Sequence, residues 1–214
     1  MKFEIRAHFD ALRGIHYISG LETLATISED CSIKLWDFKN IQKKNLDLEQ
    51  LTTLRGHIGP IYAVTGSAKA ERGLERIIYT AGEEGTIKVW NVPDLPKDDK
   101  YPELKGRNFM VAEFDDGVQE PYWHLHTNPF LDVLLAVKSD QIQIWDTKSL
   151  MEKSRTYKQS DVQQCKADFI KATQPMKTYQ ASAAEGPSCA SWLPTDNTQF
   201  VVGYFSSHLV FFNH

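Results

Sequence analysis

The sequence predicts an all-β protein assembled from repeated copies of one strand-turn-strand unit. In the first copy, residues 26–38, apolar and polar side chains alternate with the period of two that a strand requires. Glu29 and Asp30 interrupt the alternation and predict a tight turn between two strands. Related segments follow further along the chain, so the fold is predicted from the repetition of this unit.

The repeated element is an apolar strand that ends in an aromatic residue followed by Asp or Asn. Two other apolar strands precede each copy, and a fourth is expected between copies, for example at residues 51–54. Such meanders cover one another by stacking around an axis, which predicts a β-propeller with about four blades. The aromatic positions are Trp36, Trp90, Trp145 and Phe212.

The copies are spaced more widely than the ~40 to 45 residues of a typical propeller repeat, which places the excess in loops. Ser160 and Gln163 match a capping box, so residues 159–172 are predicted to form an inserted loop or short helix. We expect one incomplete propeller domain over residues 1–214, with blades at about 7–50, 51–106, 107–158 and 173–214.

Composition indicates a globular protein of the cytoplasm. The net charge of -4 and the absence of a basic cluster argue against a nucleic-acid partner. Cys31, Cys165 and Cys189 match no zinc or redox spacing, which favours a reducing compartment. No apolar leader begins the chain, and no window approaches the roughly 18 apolar residues of a membrane span. We therefore expect no direct membrane insertion.

The first copy contains four polar or aromatic residues that predict a structural network: His8, Ser28, Asp30 and Trp36. Buried polar groups require partners. Asp30 can accept from the ring of His8, and the donors of Ser28 and Trp36 would extend the chain of hydrogen bonds. This network would tie the turn to the loop that precedes the first strand.

The network is expected to weaken in the later copies. His57 and Trp90 are present in the second copy, but Gly82 and Glu84 stand where Ser and Asp would be. The second blade is therefore predicted to hold only a partial network, and the intact one is expected in the first blade alone.

Catalytic and metal sites are disfavoured by the same residues. His8, Ser28 and Asp30 have the composition of a hydrolase triad, but no nucleophile elbow accompanies them. His124 and His126 share one side of a strand without a third ligand at a matching spacing. We expect no catalytic residue, no metal and no cofactor, although a small-ligand or enzymatic site in a central channel is a second hypothesis.

Candidate interaction surfaces come from position in the predicted blades. The acidic stretch at residues 113–120 is either a docking patch for a basic partner or a solvated loop. Partners of a propeller bind to loops at its faces through aromatic or Arg anchors. The candidate anchors here are Arg13, Tyr62, Trp123 and Tyr204.

The pair Ala7-His8 followed by residues 28–37 resembles the WD40 repeat. The similarity extends to one family, because several segments resemble the C-terminal WD40 propeller of the striatins. These segments are residues 3–13, 28–30, 34–36, 55–61, 90–93 and 185–189.

The striatin resemblance implies a non-catalytic scaffold that links a type 2A protein phosphatase to germinal-centre-type kinases, with Mob-like and striatin-interacting proteins in the same assembly. Calmodulin binding is implied at the level of the family. The resemblance also implies seven blades, so the remaining ones would be missing from a fragment or supplied by another chain. The alternative is a WD40 peptide-binding adaptor of a different complex.

Overall fold

The structure is a computed structural model of the chain. The predicted insertion at residues 159–172 lies outside the described residues except for its last three, and these form a strand. The described residues are 4–38, 50–67, 76–92, 109–149, 170–181, 186–196 and 198–214.

The all-β prediction is confirmed, because the described part of the chain contains sixteen strands. A single 3-10 turn, Ser19–Leu21, joins the first two strands. No helix among the described residues is long and apolar enough to cross a membrane. The strands are β1 (Leu12–Ile18), β2 (Thr23–Ser28), β3 (Ser32–Asp37), β4 (Gln50–Arg55), β5 (Ile61–Gly66), β6 (Ile77–Gly82), β7 (Ile87–Asn91), β8 (Met110–Phe114), β9 (His124–Thr127), β10 (Val133–Val137), β11 (Gln141–Asp146), β12 (Ile170–Ala172), β13 (Lys177–Gln180), β14 (Pro187–Trp192), β15 (Gln199–Tyr204) and β16 (Leu209–Asn213).

These strands form four sheets, which are consecutive blades of a partial β-propeller. The sheet orders are β1-β2-β3-β4, β5-β6-β7-β8, β9-β10-β11-β13 and β14-β15-β16, and β12 adds to the second sheet in parallel with β8. The inner strands β1, β5, β9 and β14 contact one another in succession. This succession is the arrangement expected of blades placed around an axis.

The sheets divide the chain differently from the predicted blades. The predicted boundaries at 50 and 106 fall before the outer strands β4 and β8, which pair with the preceding hairpins. The outer strand β13 of the third blade lies beyond the predicted insertion and pairs with β11. The reason is that each outer strand returns to its own sheet after a long connection, so it belongs to the blade before that connection.

The core lies between neighbouring blades, because each blade contributes one face to each neighbour. In β6, Ile78 packs towards the first blade and Tyr79 towards the third, and all six positions are buried. A sheet covered on both faces needs no polar alternation. Trp90 faces the first blade, and Trp145 stacks on Phe114 of the second at 5.3 Å.

The outer sides of the first and fourth blades are open. Ile15 and Tyr17 of β1 are 63% and 46% exposed, and Leu209 and Phe211 of β16 are 68% and 67% exposed. These side chains point away from the neighbouring blade, since their alternating neighbours in the same strands contact it. The four blades therefore form an arc with two apolar sides.

Gly82 is required by the close approach of the neighbouring strand β5 of the same blade. It lies opposite Ile61, and a Cβ at this position would lie 2.0 Å from the carbonyl oxygen of Pro60. We predict that Gly82→Ala lowers the free energy of unfolding by about 1–3 kcal/mol, because backbone atoms must move. Urea unfolding of the purified protein measures this change.

Gly117→Asn is the matched control. Gly117 has a φ of 80°, and a Cβ there would meet no atom within 4 Å. Asparagine adopts this left-handed conformation more readily than other residues with a side chain, so we expect a loss of at most about 1 kcal/mol, smaller than that of Gly82→Ala. Equal destabilisation by the two substitutions would contradict the steric explanation.

Candidate functional site

One edge of the propeller combines the loops before the inner strands with the hairpin turns of the middle strands. Leu12 pairs with Ser28, Ile61 with Gly82, and His124 with Val137, so each inner strand begins beside a hairpin turn. We call this edge the top face. It comprises the loops at residues 7–11, 56–60 and 115–123 and the turns at residues 29–31, 83–86, 138–140 and 205–208.

A continuous hydrogen-bonded network supports the top face in the first blade. Trp36 Nε1 donates to Thr26 Oγ1 at 2.9 Å, and Thr26 Oγ1 lies 2.7 Å from His8 Nε2. His8 Nδ1 lies 3.0 Å from Asp30 Oδ2, which also accepts from the backbone N–H of Phe9 at 3.0 Å. The network therefore ties the third strand, the hairpin turn and the preceding loop together.

Thr26, and not Ser28, connects the histidine to the tryptophan. Ser28 Oγ instead donates to the Asp10 carbonyl oxygen at 3.2 Å and accepts from Asp30 N–H at 3.1 Å. The strand register explains this correction, because Trp36 lies opposite Leu24. At about 3.3 Å per residue, Thr26 is within diagonal reach of the indole, whereas Ser28 is about 13 Å along the strand.

The second blade holds a complete network, which corrects the prediction of a partial one. Trp90 Nε1 donates to Thr80 Oγ1 at 2.8 Å, and Thr80 Oγ1 lies 2.7 Å from His57 Nε2. His57 Nδ1 contacts Glu84, whose other oxygen accepts from the Ile58 N–H at 3.0 Å. Glu84 therefore performs the role of Asp30, and Thr80 performs that of Thr26.

The ionisation of Glu84 determines where the protons of the second network lie. The Glu84 carboxylate can only accept, so the ring proton of His57 lies on Nδ1 and is donated to Glu84. Nε2 of the neutral ring then accepts the hydroxyl proton of Thr80, whose oxygen accepts the Trp90 indole N–H. Burial lowers the pKa of His57 by more than the Glu84 carboxylate raises it, so the ring is neutral at pH 7, in agreement with this arrangement.

The carboxylates of both networks are held in the ionised form. Burial alone would raise the pKa of Glu84, but hydrogen bonds from His57 and Ile58 N–H and the charge of Lys88 lower it to about 2. Burial likewise opposes ionisation of Asp30, and donors led by Ser32 lower its pKa to about 2. Each carboxylate is therefore a structural acceptor and lacks the raised pKa of a general acid.

The third blade replaces this network with a different one. Trp145 Nε1 and the Tyr122 hydroxyl donate to Gln143 Oε1 at 3.1 and 2.7 Å. Gln143 Nε2 donates to Asp116 Oδ2 at 2.6 Å, and the fully buried Lys138 pairs with Asp116 at 2.7 Å. The negative charge of Asp116 is thus balanced by Lys138 inside the fold.

Much of the predicted acidic stretch is engaged in ion pairs. Glu113 pairs with Lys88 at 2.8 Å, and Asp115 lies 3.4 Å from Lys171. With Asp116 bound to Lys138, three acids in residues 113–116 have cationic partners. This part of the loop is therefore not a free anionic patch.

The networks present apolar side chains to solvent on the top face. Phe9 and Ile58 each follow the network histidine, and their backbone N–H groups are held by Asp30 and Glu84. The side chains are 86% and 87% exposed. The same hydrogen bond thus fixes an equivalent exposed side chain in two neighbouring blades.

Three of the four predicted anchor residues form one stack across the first three blades. The Arg13 guanidinium lies 5.9 Å from the ring centroid of Tyr62, whose ring stacks on Trp123 at 5.0 Å and 12°. Tyr204 is not part of the stack. It lies opposite Pro187 in the fourth blade and packs against the core there.

Polar contacts hold the stack in place. The Tyr62 hydroxyl donates to Glu83 at 2.8 Å, and Trp123 Nε1 donates to Ser139 Oγ at 3.2 Å. Arg13 forms an ion pair with Glu29. Burial and the adjacent Glu83 raise the pKa of Tyr62 to about 12, so its hydroxyl remains a donor at neutral pH.

His124 and His126 join two blades through hydrogen bonds. Backbone N–H groups of Ala190 and Trp192 donate to their Nδ1 atoms at 3.4 and 3.0 Å. Burial lowers the pKa of both rings, which keeps these nitrogens available as acceptors. No group of His, Cys, Asp or Glu suited to a metal ion is found among the described residues.

A partial propeller with a Trp-Thr-His-carboxylate network in successive blades defines the class as a WD40-repeat protein. The family model for the WD domain, G-beta repeat, matches residues 2–37 and 48–91. These segments contain both complete networks.

The chain is a striatin-like WD40 domain, as the sequence resemblance indicated. It is 31% identical to Striatin-4 of Mus musculus over 155 residues, covering 69% of this chain and 19% of that protein. It is 29% identical to Striatin-3 of Homo sapiens over 161 residues, covering 73% and 19%. A striatin homolog of Dictyostelium discoideum is 27% identical over 152 residues, covering 68% and 18%. The chain thus spans about a fifth of the length of these relatives.

We predict that Thr26→Val destabilises the fold more than Ser28→Ala. Thr26→Val leaves the Trp36 indole N–H and a His8 nitrogen without their shared partner, and such loss costs about 1–3 kcal/mol. Thr26→Ser retains the hydroxyl and should recover part of the loss. Thermal and urea unfolding measure the three variants, and an equal or larger effect of Ser28→Ala would contradict the assignment.

We predict that Glu84 contributes to acid sensitivity. Its pKa falls from 4.5 to about 2 on folding, so its stabilising contribution is complete above pH 4.5 and is lost as pH falls towards 2. Glu84→Gln cannot ionise, so the variant should be less stable at pH 7 and should lose less stability on acidification. Urea unfolding at several pH values checks this, and parallel curves for the two proteins would refute it.

Proposed function

We propose that the chain is a non-catalytic protein-interaction scaffold whose top face binds partner proteins. The stack of Arg13, Tyr62 and Trp123 carries this proposal, because it places three strong anchor residues side by side at the starts of the inner strands. Arg, Tyr and Trp contribute most often to binding energy at protein interfaces. The exposed Phe9 and Ile58 add apolar surface on the same face.

The similarity to striatins supports a more specific version of the proposal. In this version the protein links type 2A protein phosphatase subunits to germinal-centre-type kinases, together with Mob-like and striatin-interacting proteins, in the cytoplasm. The chemistry of the top face supports a binding role, since its histidines and carboxylates are engaged in structural hydrogen bonds. The scaffold acts by holding its partners in fixed positions relative to one another.

The test is affinity capture of the full-length protein from cells, followed by mass spectrometry. A Phe9→Asp/Ile58→Asp variant should recover at least one wild-type partner about tenfold less, because charged side chains replace exposed apolar contacts. Its melting temperature should stay close to that of wild type, since both positions are solvent-exposed. Recovery of phosphatase, kinase or Mob-like proteins by wild type would support the striatin-like assembly.

Phe130→Asp is the matched control. Phe130 is 54% exposed and lies between β9 and β10, at the opposite edge of the third blade. This variant should retain all partners. Unchanged recovery by the top-face variant, or equal losses in both variants, would overturn the assignment of binding to the top face.

A further inference from the structure

The side chains of the stack formed by Arg13, Tyr62 and Trp123 are oriented by the way the inner strands begin, which in the first two blades is a β-bulge. The register shifts between Leu12 and Gly14, and between Ile61 and Ala63, so Arg13 and Tyr62 are the extra residues of two β-bulges. Such bulges redirect a side chain from the sheet face. Trp123 immediately precedes β9 and donates its backbone N–H to Val137 at 2.8 Å. The three side chains thus come from corresponding positions of successive blades.

The fourth blade adds no aromatic or arginine side chain to this series. Its bulge lies between Pro187 and Cys189, and the extra residue is Ser188, whose hydroxyl donates to the Gly203 carbonyl oxygen at 3.1 Å. A serine cannot extend the stack. Tyr62 covers the side of the Trp123 ring towards the second blade, and Trp123 remains 38% exposed. The series therefore ends in an aromatic surface next to a short side chain.

The charges around this surface favour a cation. Arg13 is paired with Glu29, and Lys138 is paired with Asp116 and buried. Glu83 accepts from the hydroxyl of Tyr62, the ring that stacks on Trp123. In the described part of the chain no lysine or arginine lies within 4.0 Å of the Glu83 carboxylate.

We infer that the exposed ring of Trp123 receives an arginine side chain from an extended segment of a partner protein, close to the carboxylate of Glu83. The inference rests on the proposed function and names the chemistry of its partner. A guanidinium stacks on aromatic rings and is less strongly hydrated than an ammonium group. The arrangement would repeat the contact that Arg13 already makes with Tyr62 at the other end of the stack.

A nucleic-acid base could also stack on an exposed indole, but the local charges disfavour it. Phosphate groups would approach the Glu83 carboxylate, whereas binding of single strands requires a positively charged groove. An acidic peptide is opposed for the same reason. Tighter binding of such a ligand than of the arginine peptide would contradict the inference.

The experiment follows the indole N–H resonances of the full chain by nuclear magnetic resonance during peptide titration. The probe is a blocked peptide, acetyl-Gly-Ser-Arg-Ser-Gly-amide, and the same peptide with citrulline is its neutral isostere. The chain has five tryptophans, and the Trp123 signal is assigned by its disappearance in Trp123→Phe. The arginine peptide should shift the Trp123 signal in a saturable manner and leave the buried tryptophans unaffected.

The citrulline peptide should bind about threefold to tenfold more weakly, which is the range expected for one cation-aromatic contact. Glu83→Gln keeps an oxygen acceptor for Tyr62 and removes the charge, so it should weaken binding of the arginine peptide by a similar factor. Glu22→Gln makes the same change at an exposed position between β1 and β2 and should leave the affinity unchanged.

Absence of a Trp123 shift, equal binding of the arginine and citrulline peptides, or tighter binding of oligo-dT would overturn the inference. Failure of the proposed function is distinguishable from this. One outcome is that the Phe9→Asp/Ile58→Asp variant loses partners while the arginine peptide causes no shift of the Trp123 signal. In that case the top face binds proteins by other chemistry and the inference is wrong. A saturable Trp123 shift supports the inference even where capture is insensitive to Phe9 and Ile58.

Discussion

The hydrogen bond from a buried indole N–H to a threonine hydroxyl organises the first two blades. Trp36 and Trp90 would each bury an unsatisfied donor without Thr26 or Thr80. The same hydroxyl oxygen also hydrogen-bonds a histidine, whose other ring nitrogen contacts a carboxylate in the hairpin turn. One buried donor thus fixes the strand, the preceding loop and the turn together, and the packing of neighbouring blades follows from that rigid unit.

The binding surface is a consequence of the same constraint. The carboxylate that closes each network has a second oxygen, which accepts the backbone N–H after the histidine and turns the side chain there into solvent. Beside these loops two inner strands begin with bulges, and the bulged Tyr62 contacts Arg13 of the first blade and Trp123 of the third. Structural hydrogen bonds on the inside therefore set the positions of the exposed contacts.

The fold could be predicted because strand alternation and recurring aromatic residues are properties of local sequence. The role of Thr26 could not, since choosing between it and Ser28 requires the pairing of Trp36 with Leu24 across the hairpin. The role of Glu84 could not be predicted either, because a glutamate at this position is a mismatch to the repeat pattern and its contact with His57 depends on the longer side chain. Position in the blades indicates Arg13, Tyr62 and Trp123 only as separate residues. Their mutual contact depends on bulges and blade spacing, which no short segment encodes.

In the later blades a buried indole N–H still requires an acceptor, but the residue that accepts it differs. In the third blade Trp145 still has an indole N–H, and Gln143 accepts it. The amide then binds Asp116, whose charge is balanced by the buried Lys138, so the loop and turn remain joined by a costlier ion pair. In the fourth blade the corresponding aromatic is Phe212, which has no donor and stacks on Phe200 at 5.1 Å. A blade that buries no indole N–H at this position needs no network to satisfy it.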